Sequence, residues 1–85
     1  MKIKEGYVLK EVAGNSIVVP LGNLDFNGVI TLNETGVVLW KELQTEKEEK
    51  DLVAALLKEY DVSESLAAAD VHRFVEKLRA ADLLV

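Results

Sequence analysis

Val29-Ile-Thr-Leu-Asn-Glu-Thr-Gly-Val-Val-Leu-Trp40 is the stretch in which the hydrophobic period changes from that of a strand to that of a helix. Val29 to Leu32 is a short apolar and β-branched run, and Asn33 is a strong N-cap type whose side-chain oxygen can accept one of the unpaired N–H groups of the helix it opens. Leu32 before the cap and Val37 at the fourth helical position have the spacing of a hydrophobic staple, which fixes the angle between strand and helix. The chain before this corner reads as β and the chain after it as α.

Working back from it, Tyr7-Val-Leu-Lys-Glu-Val12 and Ile17-Val-Val-Pro-Leu21 are strand-like, with Ala13-Gly-Asn-Ser16 between them. Gly14-Asn15 is expected to be the two-residue hairpin loop, since both residues tolerate positive φ. Pro20 cannot donate to a ladder and marks the end of the second strand or an outward position. Gly22 to Gly28 reads as a turn-rich link, with Asn27-Gly28 a tight turn before the third strand.

Working forward, a first helix is expected over about Glu34–Leu43, with Val37, Leu39, Trp40 and Leu43 on its inward side. Gly36 costs up to about 1 kcal/mol of helix propensity, which implies close packing at that point. Thr45-Glu-Lys-Glu48 has the spacing of a capping box and predicts the start of a second helix, striped by Leu52, Val53, Leu56, Leu57 and Tyr60. Ser63 caps a third helix running to about Ala81, with Ala67, Val71, Phe74, Val75 and Leu78 on one arc. Leu83-Leu-Val85 is expected to fold back on the core. The result is an α+β chain of order β-β-β-α-α-α: a three-stranded antiparallel sheet followed by three helices, the last two forming a helix-turn-helix.

At 85 residues the chain is expected to be one domain, 1–85, around one small core. Hydrophobic residues at 49% exceed what a disordered chain carries. No run approaches the ~18 apolar residues of a membrane span, and the first residues lack the apolar centre of a secretory signal, so a cytoplasmic location is expected. With no cysteine and one histidine, thiolate nucleophiles, disulfides and His/Cys zinc sites are excluded. His72 has no partner in any catalytic motif and reads as a surface residue. Glu46, Glu48, Glu49 and Asp51 suit the positive end of a helix. The glycines are scattered and form no phosphate loop. No cofactor and no catalytic activity are expected.

Strands joined to a helix-turn-helix also occur in DNA-binding proteins. Here Arg73, Lys77 and Arg79 are interleaved with Asp70, Glu76 and Asp82, in a chain of net charge −5 whose field repels phosphates. The remaining opportunity is a sheet edge. If the third strand is an edge, an extended peptide can add to it through Val29, Ile30, Thr31 and Leu32. Four to five ladder bonds would contribute about 2–7 kcal/mol. A micromolar complex needs about 8 kcal/mol, so buried apolar anchors at ~1.5–3 kcal/mol each are required as well. The third helix is the candidate wall, with Leu66, Phe74 and Leu78 near its apolar side and Asp70, Arg73 and Lys77 on its flank. On pattern alone the alternative stays open that these residues fill the core and the third strand is central.

Phe26-Asn-Gly-Val-Ile-Thr-Leu-Asn-Glu-Thr-Gly-Val-Val-Leu-Trp40 resembles the "LN-x-t-g-x-x-x-W-x-x-L" segment of the PqqD-like family. Leu52-Val53, Leu56, Tyr60-Asp61-Val62, Asp70-Val71, Phe74, Leu78 and Leu83-Leu84 are similar to that family's ending, and the likeness spans roughly residues 7 to 85. The chain departs from the pattern at Gln44-Thr45-Glu46, where many relatives carry Asp-Gly-Thr, and at Asp82, where glycine is usual. The resemblance implies a winged helix-turn-helix that binds no DNA. It implies recognition of the leader segment of ribosomally made precursor peptides and its delivery to a modifying enzyme, often a radical S-adenosylmethionine protein. By position, the leader would lie between Val29–Leu32 and Asp70, Arg73, Phe74 and Lys77. A monomer or a hairpin-exchanged homodimer fits either reading, and a DNA-binding winged helix or a dimerisation module are the alternatives.

Overall fold

The structure, a computed structural model, describes residues 1–21 and 30–85. Val29, the Asn27-Gly28 turn and the rest of the expected link lie outside the described residues. The order is β1 (Tyr7–Val12), β2 (Asn15–Pro20), β3 (Ile30–Leu32), α1 (Glu34–Glu42), α2 (Glu49–Glu59) and α3 (Glu64–Ala80). β1 and β3 flank β2 in an antiparallel sheet. The fold is the expected winged helix-turn-helix, a three-stranded sheet followed by three helices.

The hairpin differs from expectation in its loop. Ala13 and Gly14, not Gly14 and Asn15, form the turn, with φ of 51° and 81°. Val12 pairs with Asn15 across it, and Leu9 then lies opposite Val18. Val18 is fully buried. A Gly14-Asn15 loop would slide the ladder so that Glu11 stood there instead. Keeping a carboxylate away from the core outweighs the ~1–2 kcal/mol that a left-handed alanine costs.

Asn33 caps α1 as its type suggests, its Oδ1 accepting the Gly36 N–H at 2.8 Å. α2 begins later than the Thr45-x-x-Glu48 spacing implies. Glu48 is its N-cap, and Asp51 accepts the Glu48 N–H at 2.9 Å. The intervening residues are held by the chain start: Lys47 N–H donates to the Met1 carbonyl at 2.9 Å, and the Met1 ammonium pairs with Glu46 and bonds the Lys47 carbonyl. Tertiary pairing thus overrides a local cap signal.

α3 starts at Ser63, which accepts the Leu66 N–H at 3.2 Å. It ends in a Schellman arrangement, with Leu83 N–H on the Leu78 carbonyl at 2.9 Å and Asp82 N–H on the Arg79 carbonyl at 3.0 Å. The left-handed residue this motif requires is Asp82, with φ 58°. Leu83 is thereby turned into the core, and the chain end pairs with its start through Ile3 and Leu84.

The core lies between the inward face of the sheet and the three helices. Val18, Leu32, Leu39, Trp40, Leu43, Leu52, Leu56, Val71, Val75 and Leu78 are among its members. Among the described residues no helix is long and apolar enough to cross a membrane.

Candidate functional site

β3 is an edge strand, paired with β2 on one side only among the described residues. The register shows which of its backbone groups face outward. In a two-residue hairpin the residues flanking the loop exchange both ladder bonds, so Asn15, Ile17 and Val19 bond to β1, and Ser16 and Val18 face β3. Those two pair with Leu32 and Ile30. Thr31 between them points its N–H and C=O away from β2, toward open space.

That space is a groove of about 550 Å³, large enough for several side chains. Thr31, Leu32 and Asn33 line it on one side, and Asp70, Arg73, Phe74 and Lys77 of α3 on the other. Gly36 and Leu39 of α1 form part of its lining between them. Residues 70, 73, 74 and 77 share one face of α3 because they recur at three- and four-residue spacing. A strand edge and a helix face are brought together in this way by the corner at Asn33.

Gly36 explains how the walls come so near. A methyl group placed on it would stand 3.1 Å from Asn33 Oδ1, 3.3 Å from Leu32 Cβ and 3.4 Å from Phe74 Cε1. The lost helix propensity therefore buys close approach of the Phe74 ring to the start of α1. Phe74 is half-buried, unlike Val71 and Val75 beside it. Its ring packs on the core and lines the groove.

The expected residues do not all meet here. Ile30, half-buried, faces the core opposite Val18 and is not part of the groove lining. Leu78 is fully buried, so it belongs to the core and offers no side-chain surface to a ligand. Leu66 is 49% exposed in the first turn of α3, on the same helical face as Asp70 and Lys77, but beyond the groove lining. Val29 lies outside the described residues. The lining residues that sequence reasoning missed are Asn15, Asn33, Thr35, Gly36 and Leu39. Gly36 carried a signal, its poor helix propensity; Leu39 was read only as core.

Polar chemistry in the groove is confined to charge and hydrogen bonding. Arg73 pairs with Asp70 one turn before it. His72 lies outside the groove lining, 3.6 Å from Glu49 of α2, with its side chain mostly exposed. Among the described residues no cluster of His, Cys, Asp or Glu could hold a metal ion.

Magnitudes decide what such a groove can do. The described part of β3 offers two outward ladder groups, worth about 1–3 kcal/mol net, fewer than the four to five bonds anticipated. Reaching the ~8 kcal/mol of a micromolar complex therefore falls mainly to apolar side chains buried against Phe74 and the exposed margin of Leu32.

Known proteins share this architecture. A family model described as coenzyme PQQ synthesis protein D (PqqD) matches residues 6–84. A solved structure described as "TbiB1 in Complex with the TbiA(beta) Leader Peptide" superimposes with a TM-score of 0.77 at 24% identity. The match covers 99% of this chain and 94% of that one, and it shows a shared fold. No curated protein matches.

Proposed function

The chain belongs to the coenzyme PQQ synthesis protein D family, and from that premise we propose that it is a non-catalytic module for peptide recognition. It binds the leader segment of a ribosomally made precursor as a strand added to β3 and presents that precursor to a modifying enzyme. The observation that carries this reading is the outward-facing Thr31 backbone, set beside a groove whose far wall is Phe74. The similar TbiB1 structure, described as a complex with a leader peptide, supports the same use of the fold.

In this reading Thr31 supplies the ladder, Phe74 and the edge of Leu32 supply the apolar seat, and Asp70, Arg73 and Lys77 set register. Ile30 holds β3 to β2 opposite Val18, and Leu66 extends the helix wall toward its N-terminus. The partner enzyme is a radical S-adenosylmethionine protein or another maturase, and the work is done in the cytoplasm.

The test is a titration of the whole 85-residue protein with the leader of a precursor encoded beside it, followed by backbone NMR. Shifts are expected at Ile30–Leu32, Gly36 and Asp70–Lys77. Saturable binding whose shifts map to α2 or the β1 edge would reject the groove.

A further inference from the structure

Concave regions of this surface differ in charge. One is lined by Glu42, Glu46, Lys47, Asp51 and Lys58, and another carries Glu34 as its charged residue. The groove beside β3 instead sets Arg73 and Lys77 against Asp70, in a chain of net charge −5. Arg73 is already paired with Asp70. Lys77, one turn further along α3, takes part in none of the ion pairs of the described residues. An acidic chain has thus placed a cation with no carboxylate partner where a peptide would lie.

Strand geometry says which side chain of the peptide could meet it. The peptide residue opposite Thr31 shares its exposed face, so the residues on either side of that one turn toward the face of Leu32, the groove floor and α3. Those inward positions are two residues and about 7 Å apart. Phe74 and Lys77 are about 4.5 Å apart along the axis of α3, and the lysine stem covers the difference.

We propose that the peptide adding to β3 carries an acidic side chain two residues from an apolar one, the apolar group seated on Phe74 and the carboxylate paired with Lys77. This rests on the strand-addition reading above and adds to it a rule for the ligand. The net charge of −5 disfavours acidic segments over the surface as a whole, whereas Lys77 attracts them at this groove, and a basic residue at the same position is disfavoured by Lys77 and Arg73.

The experiment selects short random peptides displayed on their own messenger RNA against the whole wild-type chain and against the exposed-site variant Lys77→Glu. Wild type is expected to enrich Asp or Glu two positions from Leu, Ile, Val or Phe, and the variant to enrich Lys or Arg there. A wild-type-selected peptide is expected to bind the variant about two- to fivefold more weakly, as loss of a partly exposed ion pair implies. Enrichment of the apolar residue alone, unchanged by Lys77→Glu, would overturn the charge rule and leave strand addition standing. Peptides without a shared pattern, or whose affinity is unchanged by Thr31→Pro, would overturn both. Retardation of a DNA duplex by wild type that is lost in Lys77→Glu would assign the cation to phosphates and also overturn the proposal.

Discussion

The sheet has two edges, and they are built differently. β1 presents six residues, Tyr7–Val12, and by the register that places Thr31 outward, Leu9 and Glu11 point their backbone groups away from β2. Its exposed half carries Lys10 and Glu11, charges of the kind that discourage a further strand. β3 presents three residues, Ile-Thr-Leu, with no charge among them and with α3 across a groove. Unpaired backbone is therefore common to both edges and does not by itself make a docking site. What distinguishes β3 is the apolar wall beside it, since two ladder bonds contribute only about 1–3 kcal/mol.

The comparison can be broken most severely at the wall, whose two sides should fail in different ways. Leu78→Ala removes a fully buried side chain and is expected to lower stability by about 2–5 kcal/mol, read by denaturant unfolding. Phe74→Ala should weaken peptide binding by about 10- to 100-fold, the equivalent of one lost aromatic anchor. Calorimetry checks it, with circular dichroism confirming the fold; unchanged affinity would make the two edges equivalent.

Proline at each edge compares the ladders directly. Thr31→Pro deletes one outward donor and should cost about 2- to 10-fold in affinity, whereas Glu11→Pro, an exposed change at the other edge, should leave affinity unchanged. The smallest effects concern positions remote from both. Ala13→Gly and Asp82→Gly relieve left-handed backbone and should each raise stability by about 0.5–1 kcal/mol in thermal melts, without altering affinity. For Asp82 the gain is reduced by its ion pair with Lys4, 2.9 Å long but highly exposed and hence weak.

Much of this was legible in the sequence because it is local. Asn33, Ser63 and the periodicity of α3 announce themselves within a few residues, and the change of period between Val29 and Trp40 located the corner. What was missed depends on distant partners. The hairpin loop is displaced by one residue because Val18 requires Leu9 opposite it, and α2 starts late because the chain start holds Lys47. In the candidate site, Asp70, Arg73, Phe74 and Lys77 line the groove, while Leu78 does not. Periodicity places residues on an arc but not at its margin, and the difference between Phe74 and Leu78 is set by what faces each one.

Amide hydrogen exchange at Thr31, measured with and without a bound leader peptide, tests strand addition most directly. The account predicts that the Thr31 amide exchanges freely in the isolated protein and is strongly protected in the complex, while Glu11 on the opposite edge stays unchanged. Saturating peptide that leaves Thr31 unprotected, or that protects Glu11 instead, would contradict it.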